Sequence, residues 1–210
     1  MALKVTEITF PGFTANCYLV TDEDTKEAFL IDPGAYGKRQ SEYIKSQGVN
    51  LRYILLTHGH YDHILGVKQF KEDFSDAKVV IHTEDEACLA SPIKSLAITH
   101  GLNFPKTQAD ILVSDGDTLP FADTEIEVIH TPGHTKGSIC YKLSDMLFTG
   151  DTLFKGTVGR TDFPGGSYKE IIQSVGKLKD MDGDLKVYPG HEGTTTLENE
   201  RRNNPYMRGI

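Results

Sequence analysis

Apolar positions along the chain alternate with polar ones or form short unbroken runs, a pattern that predicts many strands. Strands are expected over residues 3–10, 16–20, 28–31, 53–56, 79–81, 125–129, 138–143, 146–149 and 187–188. The run over residues 53–56 has no polar member, which is typical of a strand buried on both faces. Turn chemistry at Asp32-Pro33-Gly34 ends the third strand.

Helical patterns follow several of these strands. Helices are expected over residues 36–47, 67–74, 84–89 and 197–202, and another opens at an S-x-x-E capping box of Ser167 and Glu170. Residues 91–109 fit either a helical cap or a loop. Strands dominate each half of the chain and each half closes with a helix. We therefore expect an α/β fold in which two sheets stack and helices cover them.

Composition limits the class of protein. A length of 210 residues fits one domain, predicted over residues 1–210. The formal net charge is −8 without a run of lysine or arginine, which argues against nucleic acid or a membrane as partner. We expect no signal peptide and no membrane span. Three cysteines without a CxxC pair indicate free thiols, Cys17 and Cys140 being buried, and a cytoplasmic location.

Candidate metal ligands crowd into one loop directly after the strand over residues 53–56. The segment Thr-His-Gly-His-Tyr-Asp-His places His58, His60, Asp62 and His63 within six residues. Histidine and carboxylate are the usual ligands of zinc and iron, and a loop at a strand end is where a scaffold presents functional groups. The motif therefore predicts a metal site.

Three more ligand-type residues each follow an apolar strand and a glycine, and they are His134, Asp151 and His191. Four strand ends that point the same way would bring these loops together at one edge of a sheet. Five histidines and two aspartates exceed the ligands of one tetrahedral zinc, whereas two metals that share one carboxylate use all seven. The remaining histidines fit no part of this pattern and are expected to be structural or solvated: His82, His100 and His130.

With these motifs the chain resembles the metallo-β-lactamase superfamily, from its opening strands through the His191 loop. Within that superfamily it is most similar to hydroxyacylglutathione hydrolase (glyoxalase II) and its short bacterial relatives. The resemblance implies an αββα four-layer sandwich of two mixed sheets, with the metal site at one edge. It implies two divalent metals, zinc or else iron or manganese. The implied ligands are His58, His60 and His134 for the first metal, Asp62, His63 and His191 for the second, and Asp151 as the bridge.

The loop after the bridging aspartate departs from the longer glyoxalase II enzymes, which carry a Lys and then a Tyr that hold glutathione. Here Arg160 keeps the positive charge, but Asp162 replaces the aromatic residue. We expect Arg160 either to bind a substrate carboxylate or to form a salt bridge with Asp162. The chain is also expected to lack those enzymes' helical C-terminal domain. The basic pair Arg201 and Arg202 fits a solvated helix face or an anion-binding rim.

The ligand set and the resemblance together predict a dinuclear metal-dependent hydrolase of small-molecule thioesters such as S-lactoylglutathione. A water between the metals would be the nucleophile, and Asp62 and Asp151 would take part in catalysis. The main alternative is a persulfide dioxygenase with one iron on His58, His134 and Asp151. The stretch Gly-Arg-Thr-Asp at residues 159–162 also occurs in that group.

Other activities of the same superfamily fit the sequence less well. Many β-lactamases place a cysteine in the second metal site, and no cysteine lies in a ligand loop here. A net charge of −8 disfavours a nuclease, and di-iron reductases typically have a Glu where His60 stands. A non-catalytic metal-binding domain remains as the simplest alternative.

Overall fold

Two six-stranded mixed sheets form the centre of the protein, and helices cover their outer faces. The computed structural model describes residues 2–209. This arrangement confirms the predicted α/β sandwich with four layers. Across the described residues, each helix is too short or too polar to pass through a lipid bilayer.

The first sheet comes from the N-terminal half. Its strands are β1 (Leu3–Ile8), β2 (Cys17–Asp22), β3 (Glu27–Ile31), β4 (Asn50–Leu55), β5 (Lys78–His82) and β6 (Ile111–Val113), in that spatial order. Strands β1 to β3 are antiparallel, and β3 to β6 are parallel. The helices of this half are α1 (Lys38–Ser46), α2 (Tyr61–Ile64) and α3 (Val67–Asp73), with 3-10 turns at Thr83–Ala90 and Ala97–His100.

The second sheet comes from the C-terminal half. Its strands are β7 (Thr118–Phe121), β8 (Thr124–His130), β9 (Ile139–Leu143), β10 (Met146–Gly150), β13 (Lys186–Pro189) and β14 (Thr195–Thr196). Their order is β14-β13-β10-β9-β8-β7, and only β10 and β13 pair in parallel. A separate hairpin joins β11 (Leu153–Phe154) to β12 (Thr157–Val158), and the helices are α4 (Tyr168–Lys179), α5 (Leu197–Asn203) and α6 (Pro205–Arg208).

Aromatic side chains fill the space between the two sheets. Phe29 of the first sheet lies edge-on to Phe121 of the second, with ring centroids 4.8 Å apart, and also contacts Phe148. All three are fully buried, and each contributes on the order of 2 kcal/mol through burial of apolar surface. Separate apolar clusters pack α1 and α3 against the first sheet and α4 to α6 against the second. The ligand loops therefore start from a rigid base.

The ligand loops leave two sheets, so the expectation of convergence at one edge of a single sheet was wrong. His58 follows β4 of the first sheet, whereas His134, Asp151 and His191 follow β8, β10 and β13 of the second. Strands β8, β10 and β13 run in the same direction, because β9 is antiparallel to both β8 and β10 and because β13 is parallel to β10. The loops meet where the ends of both sheets come together.

Candidate metal centre

The structure brings together all seven predicted ligands at this shared end of the sheets. They are His58, His60, Asp62, His63, His134, Asp151 and His191. The short helix α2 carries Asp62 and His63, while His58 and His60 lie in the turn before it. A loop that turns at once into a helix explains how one heptapeptide presents four side chains to one point.

Three imidazoles form the first group, and their ring nitrogens lie within 4.8 Å of one another: His58, His60 and His134. His134 Nδ1 is 2.8 Å from the carbonyl oxygen of Arg160, which can only accept, so Nδ1 carries the proton and Nε2 presents a lone pair. That Nε2 lies 2.9 Å from His60 Nδ1. The Nε2 atom of His58 is buried without a hydrogen-bond partner. Converging nitrogens with a buried atom left unpaired fit the donor set of a metal ion.

The second group consists of Asp62, His63 and His191, whose ligand atoms also lie within 4.8 Å of one another. His191 Nε2 is 3.3 Å from Asp62 Oδ2 and 3.3 Å from His63 Nε2. Its other nitrogen, Nδ1, lies 3.2 Å from the carbonyl oxygen of Thr14 and donates to it. One carboxylate and two imidazoles fit a second divalent ion.

Asp151 lies between the two groups. Its Oδ2 is 3.3 Å from His134 Nε2 in the first group, and its Oδ1 is 3.4 Å from His63 Nε2 in the second. The Oδ1 atom is buried and has no hydrogen-bond partner. This is the position in which a carboxylate can bridge two metals.

Asp32 supports the second group, and sequence reasoning gave it no role beyond a turn. Its buried carboxylate accepts hydrogen bonds from Thr57 N at 2.8 Å, Thr57 Oγ1 at 2.6 Å and His63 Nδ1 at 3.0 Å. Asp32 therefore holds the His63 ring with Nε2 toward the site, as carboxylates often do for metal-binding histidines. Although Asp32 lies close enough to His58 and His63 to count as a ligand, its oxygens are already engaged. The available signal was a carboxylate directly after the apolar residues 28–31.

Asp85 joins the loops of the first group, and it too was missed. It lies in the 3-10 turn after β5, 4% exposed, and accepts from Gly59 N at 2.8 Å, Thr135 Oγ1 at 2.7 Å and Gly137 N at 3.0 Å. Gly59 stands between His58 and His60, and Thr135 follows His134. One carboxylate thus ties the ligand loop of the first sheet to a ligand loop of the second. No sequence motif marks a lone aspartate of this kind.

The electrostatics of the groups differ. Burial lowers the pKa of His58 far below its usual value, and burial with nearby His134 lowers the pKa of His60 to about 3. Both rings are neutral at pH 7, as metal ligation requires. Burial opposes the charged form of His63, but Asp151 and Asp62 outweigh it and raise the pKa of His63. Metal binding there must displace a proton.

A cavity of about 480 Å³ opens beside these residues. Several of the predicted ligands line it, together with four apolar side chains, which are Leu96, Phe154, Val158 and Phe163. Arg160 also lines the cavity, and its Nε and Nη2 donate to the two oxygens of Asp162 at 2.7 Å each. Its guanidinium lies 3.8 Å from the centroid of the Phe163 ring. The structure thus shows the salt bridge with Asp162, and substrate binding by Arg160 stays a prediction.

The other residues singled out in the sequence have these environments. His82 is buried and stacks on His130, with the ring centroids 4.1 Å apart, and neither belongs to the two ligand groups. His100 packs on Tyr61 and lines the cavity.

Cys17 and Cys140 are buried free thiols, as predicted. Arg201 donates to the backbone carbonyls of Lys179, Met181 and Gly183, so it fastens the end of α4 rather than forming a solvated face. Arg202 pairs with Glu198 at the surface.

Known proteins are similar to this chain over most of its length. The family model of the metallo-beta-lactamase superfamily matches residues 10–191. The hydroxyacylglutathione hydrolase GloC of Haemophilus influenzae is 35% identical over 214 residues, which cover 99% of this chain and 98% of that protein.

Solved structures of similar size superpose well. BLEG-1, a B3 metallo-beta-lactamase, has a TM-score of 0.90 and 31% identity, over 97% of this chain and 99% of that one. TTHA1623 in a di-iron-bound form has a TM-score of 0.84 and 32% identity, over 96% of this chain and 100% of that one. ETHE1 from Myxococcus xanthus has a TM-score of 0.82 and 29% identity, over 98% of this chain and 85% of that one.

Proposed function

The chain belongs to the metallo-beta-lactamase superfamily, and from that premise we propose that it hydrolyses thioesters such as S-lactoylglutathione with two metal ions. One observation carries the proposal: Asp151 contacts both ligand groups and keeps a buried oxygen, Oδ1, without a partner. The likeness to GloC, a hydroxyacylglutathione hydrolase, supports the choice of substrate class.

The proposed ligands follow the two groups. His58, His60 and His134 would hold one ion, Asp62, His63 and His191 the other, and Asp151 would bridge them. Bound there, the ions would lower the pKa of a water and polarise a carbonyl, which supplies a nucleophile near neutral pH. Zinc and iron both suit imidazole and carboxylate donors, and a structural neighbour was solved in a di-iron-bound form.

The chain's own side chains would orient and protect the reaction. Asp62 is 25% exposed toward the cavity, against 11% for Asp151, so Asp62 is the better placed carboxylate to accept a proton from the attacking water. Phe154 and Phe163 would pack against the substrate and exclude solvent from the thioester. The departing thiolate needs little protonation, since a thiol has a pKa of about 8.5.

The test is a panel of substrates offered to the metal-loaded protein. Hydrolysis of S-lactoylglutathione and simple acyl thioesters should exceed hydrolysis of a β-lactam, which the likeness to BLEG-1 makes the proper comparison. An Asp151→Asn variant should lose roughly a hundredfold in kcat while it keeps its fold by circular dichroism. Equal turnover in wild type and Asp151→Asn would contradict the proposal.

A persulfide dioxygenase is the second candidate, because the Gly-Arg-Thr-Asp stretch at residues 159–162 also occurs in that group and its Arg160 lines the cavity. Oxygen uptake with glutathione persulfide separates it from a hydrolase. We also propose that residues 1–210 form a single domain and that the protein acts in the cytoplasm.

Arg160 is the proposed contact for a substrate carboxylate, although Asp162 now engages it. Asp162→Asn should free the guanidinium and lower KM for carboxylate-bearing thioesters, while Arg160→Ala should raise it. Because Arg160 is exposed, water screens such a contact, and the change in kcat/KM should be roughly twofold to fivefold. If neither variant changes KM, Arg160 serves only as the partner of Asp162.

A further inference from the structure

A second cavity of about 260 Å³ adjoins the first, and the proposed function gives it no role. The two cavities share His60 and Leu96 in their walls. A substrate whose carbonyl lies at the proposed metal centre would therefore have one end close to the second cavity.

Basic side chains distinguish this second cavity from the first. Lys94 and Lys136 line it, and among the described residues neither ammonium group has a hydrogen bond or an ion pair. In the first cavity the only lysine or arginine is Arg160, whose charge Asp162 already neutralises. The two acidic residues that line the second cavity leave both ammonium groups available to a ligand. The carboxylate of Asp85 is occupied by three hydrogen bonds, and Glu84 is exposed, so water screens its charge.

From these contacts, and resting on the proposed thioesterase function, we propose that the second cavity binds a carboxylate end of the substrate through Lys94 and Lys136. Both lysines are exposed, so they would meet this group at the mouth of the cavity. The carboxylate could belong to the acyl group or to the thiol carrier, and suitable thioesters distinguish these sources.

Three thioesters separate the sources. S-succinyl-N-acetylcysteamine has a carboxylate on the acyl side, S-acetyl-3-mercaptopropionate has one on the thiol side, and S-acetyl-N-acetylcysteamine has none. In a Lys94→Met/Lys136→Met double variant, KM should rise roughly tenfold for one carboxylate-bearing thioester, with kcat unchanged. The neutral thioester should keep its wild-type KM. Lys68→Met, an exposed lysine outside both cavities, is the matched control.

Cys88 provides a readout that does not depend on turnover. It lines the second cavity and is half-buried, whereas Cys17 and Cys140 are buried. Burial raises the pKa of the Cys88 thiol to about 12, so its alkylation at pH 8.5 is slow enough to follow by mass spectrometry. Succinate should slow this alkylation in the metal-loaded wild type and in Lys68→Met, but not in the double lysine variant.

The outcomes separate the two proposals. If succinate protects Cys88 through the lysines but no thioester is hydrolysed, the subsite stands and the proposed function fails. If thioesters are hydrolysed but the double variant changes all three equally, or none, the subsite is wrong. Failure of succinate to slow alkylation of Cys88 in the wild type would also overturn it.

Discussion

Replacing Asp85 by Asn tests whether one buried carboxylate holds the loops of the first ligand group together. The carboxylate accepts three hydrogen bonds, from Gly59 N, Thr135 Oγ1 and Gly137 N, at 2.7–3.0 Å. An asparagine can keep its oxygen toward Gly59 and Thr135, but its amide N–H groups then face the N–H of Gly137. At least one buried donor is left unsatisfied, which costs about 1–3 kcal/mol.

The consequence should be visible in folding and in metal binding. Urea unfolding of the metal-free Asp85→Asn protein should show a loss of about 1–3 kcal/mol, a large part of a stability of roughly 5–15 kcal/mol. Affinity for the first metal should fall roughly tenfold to a hundredfold, the usual effect of losing a group that orients ligands. Chelator competition measures this affinity.

Glu86→Gln is the matched control, because it removes an exposed carboxylate from the same 3-10 turn. It should unfold and bind metal as the wild type does. Unfolding of Asp85→Asn at the wild-type urea concentration, together with unchanged metal affinity, would refute the role assigned to Asp85.

Further predictions concern stability and the bridging carboxylate. Burial and the neighbouring His130 lower the pKa of His82 in the folded state. The neutral ring therefore stabilises the fold above pH 6.5, and this stabilisation is lost as the pH falls further, because the unfolded chain takes up the proton more readily. Urea unfolding of His82→Gln should therefore depend less on pH between 7.5 and 5 than that of the wild type, and an equal slope would contradict this. A methyl group at Gly190 would overlap Asp151 Oδ1 and lie 2.9 Å from both the Gly150 carbonyl carbon and His63 Cε1, so Gly190→Ala should weaken metal binding. Chelator competition measures this, and wild-type metal affinity would contradict it. Arg201→Met should lower the free energy of unfolding by about 1–3 kcal/mol and leave kcat unchanged, since Arg201 contacts backbone carbonyls and Glu198 but no proposed metal ligand; a change in kcat would refute that.

Strong local periodicity explains what the sequence could predict. The strand expected over residues 28–31 is β3 (Glu27–Ile31), and the capping box of Ser167 does open α4 (Tyr168–Lys179), with the Ser167 hydroxyl accepting from Glu170 N. The strands that were missed are short and depend on tertiary pairing. Ile111–Val113 has only three residues, and Thr118–Phe121 contains Pro120, which normally argues against a strand.

The residues of the candidate site also differ in how well the sequence predicts them. The metal ligands could be predicted, because four lie in one heptapeptide and the other three each follow a strand and a glycine. Asp32 and Asp85 act through partners 25 to 52 residues away, so their roles exist only in the folded chain. The pairing of Arg160 with Asp162 was foreseen as an alternative because the two are close in sequence.

The proposed thioesterase needs two metal ions in its site, and the number of metals bound per chain is therefore decisive. We expect close to two metals per chain in fully loaded wild type, measured by inductively coupled plasma mass spectrometry. We expect close to one in Asp62→Ala, with thioester hydrolysis lost together with the second ion. Saturation of the wild type at a single iron, with oxygen consumed in the presence of glutathione persulfide, would rule out the proposed function.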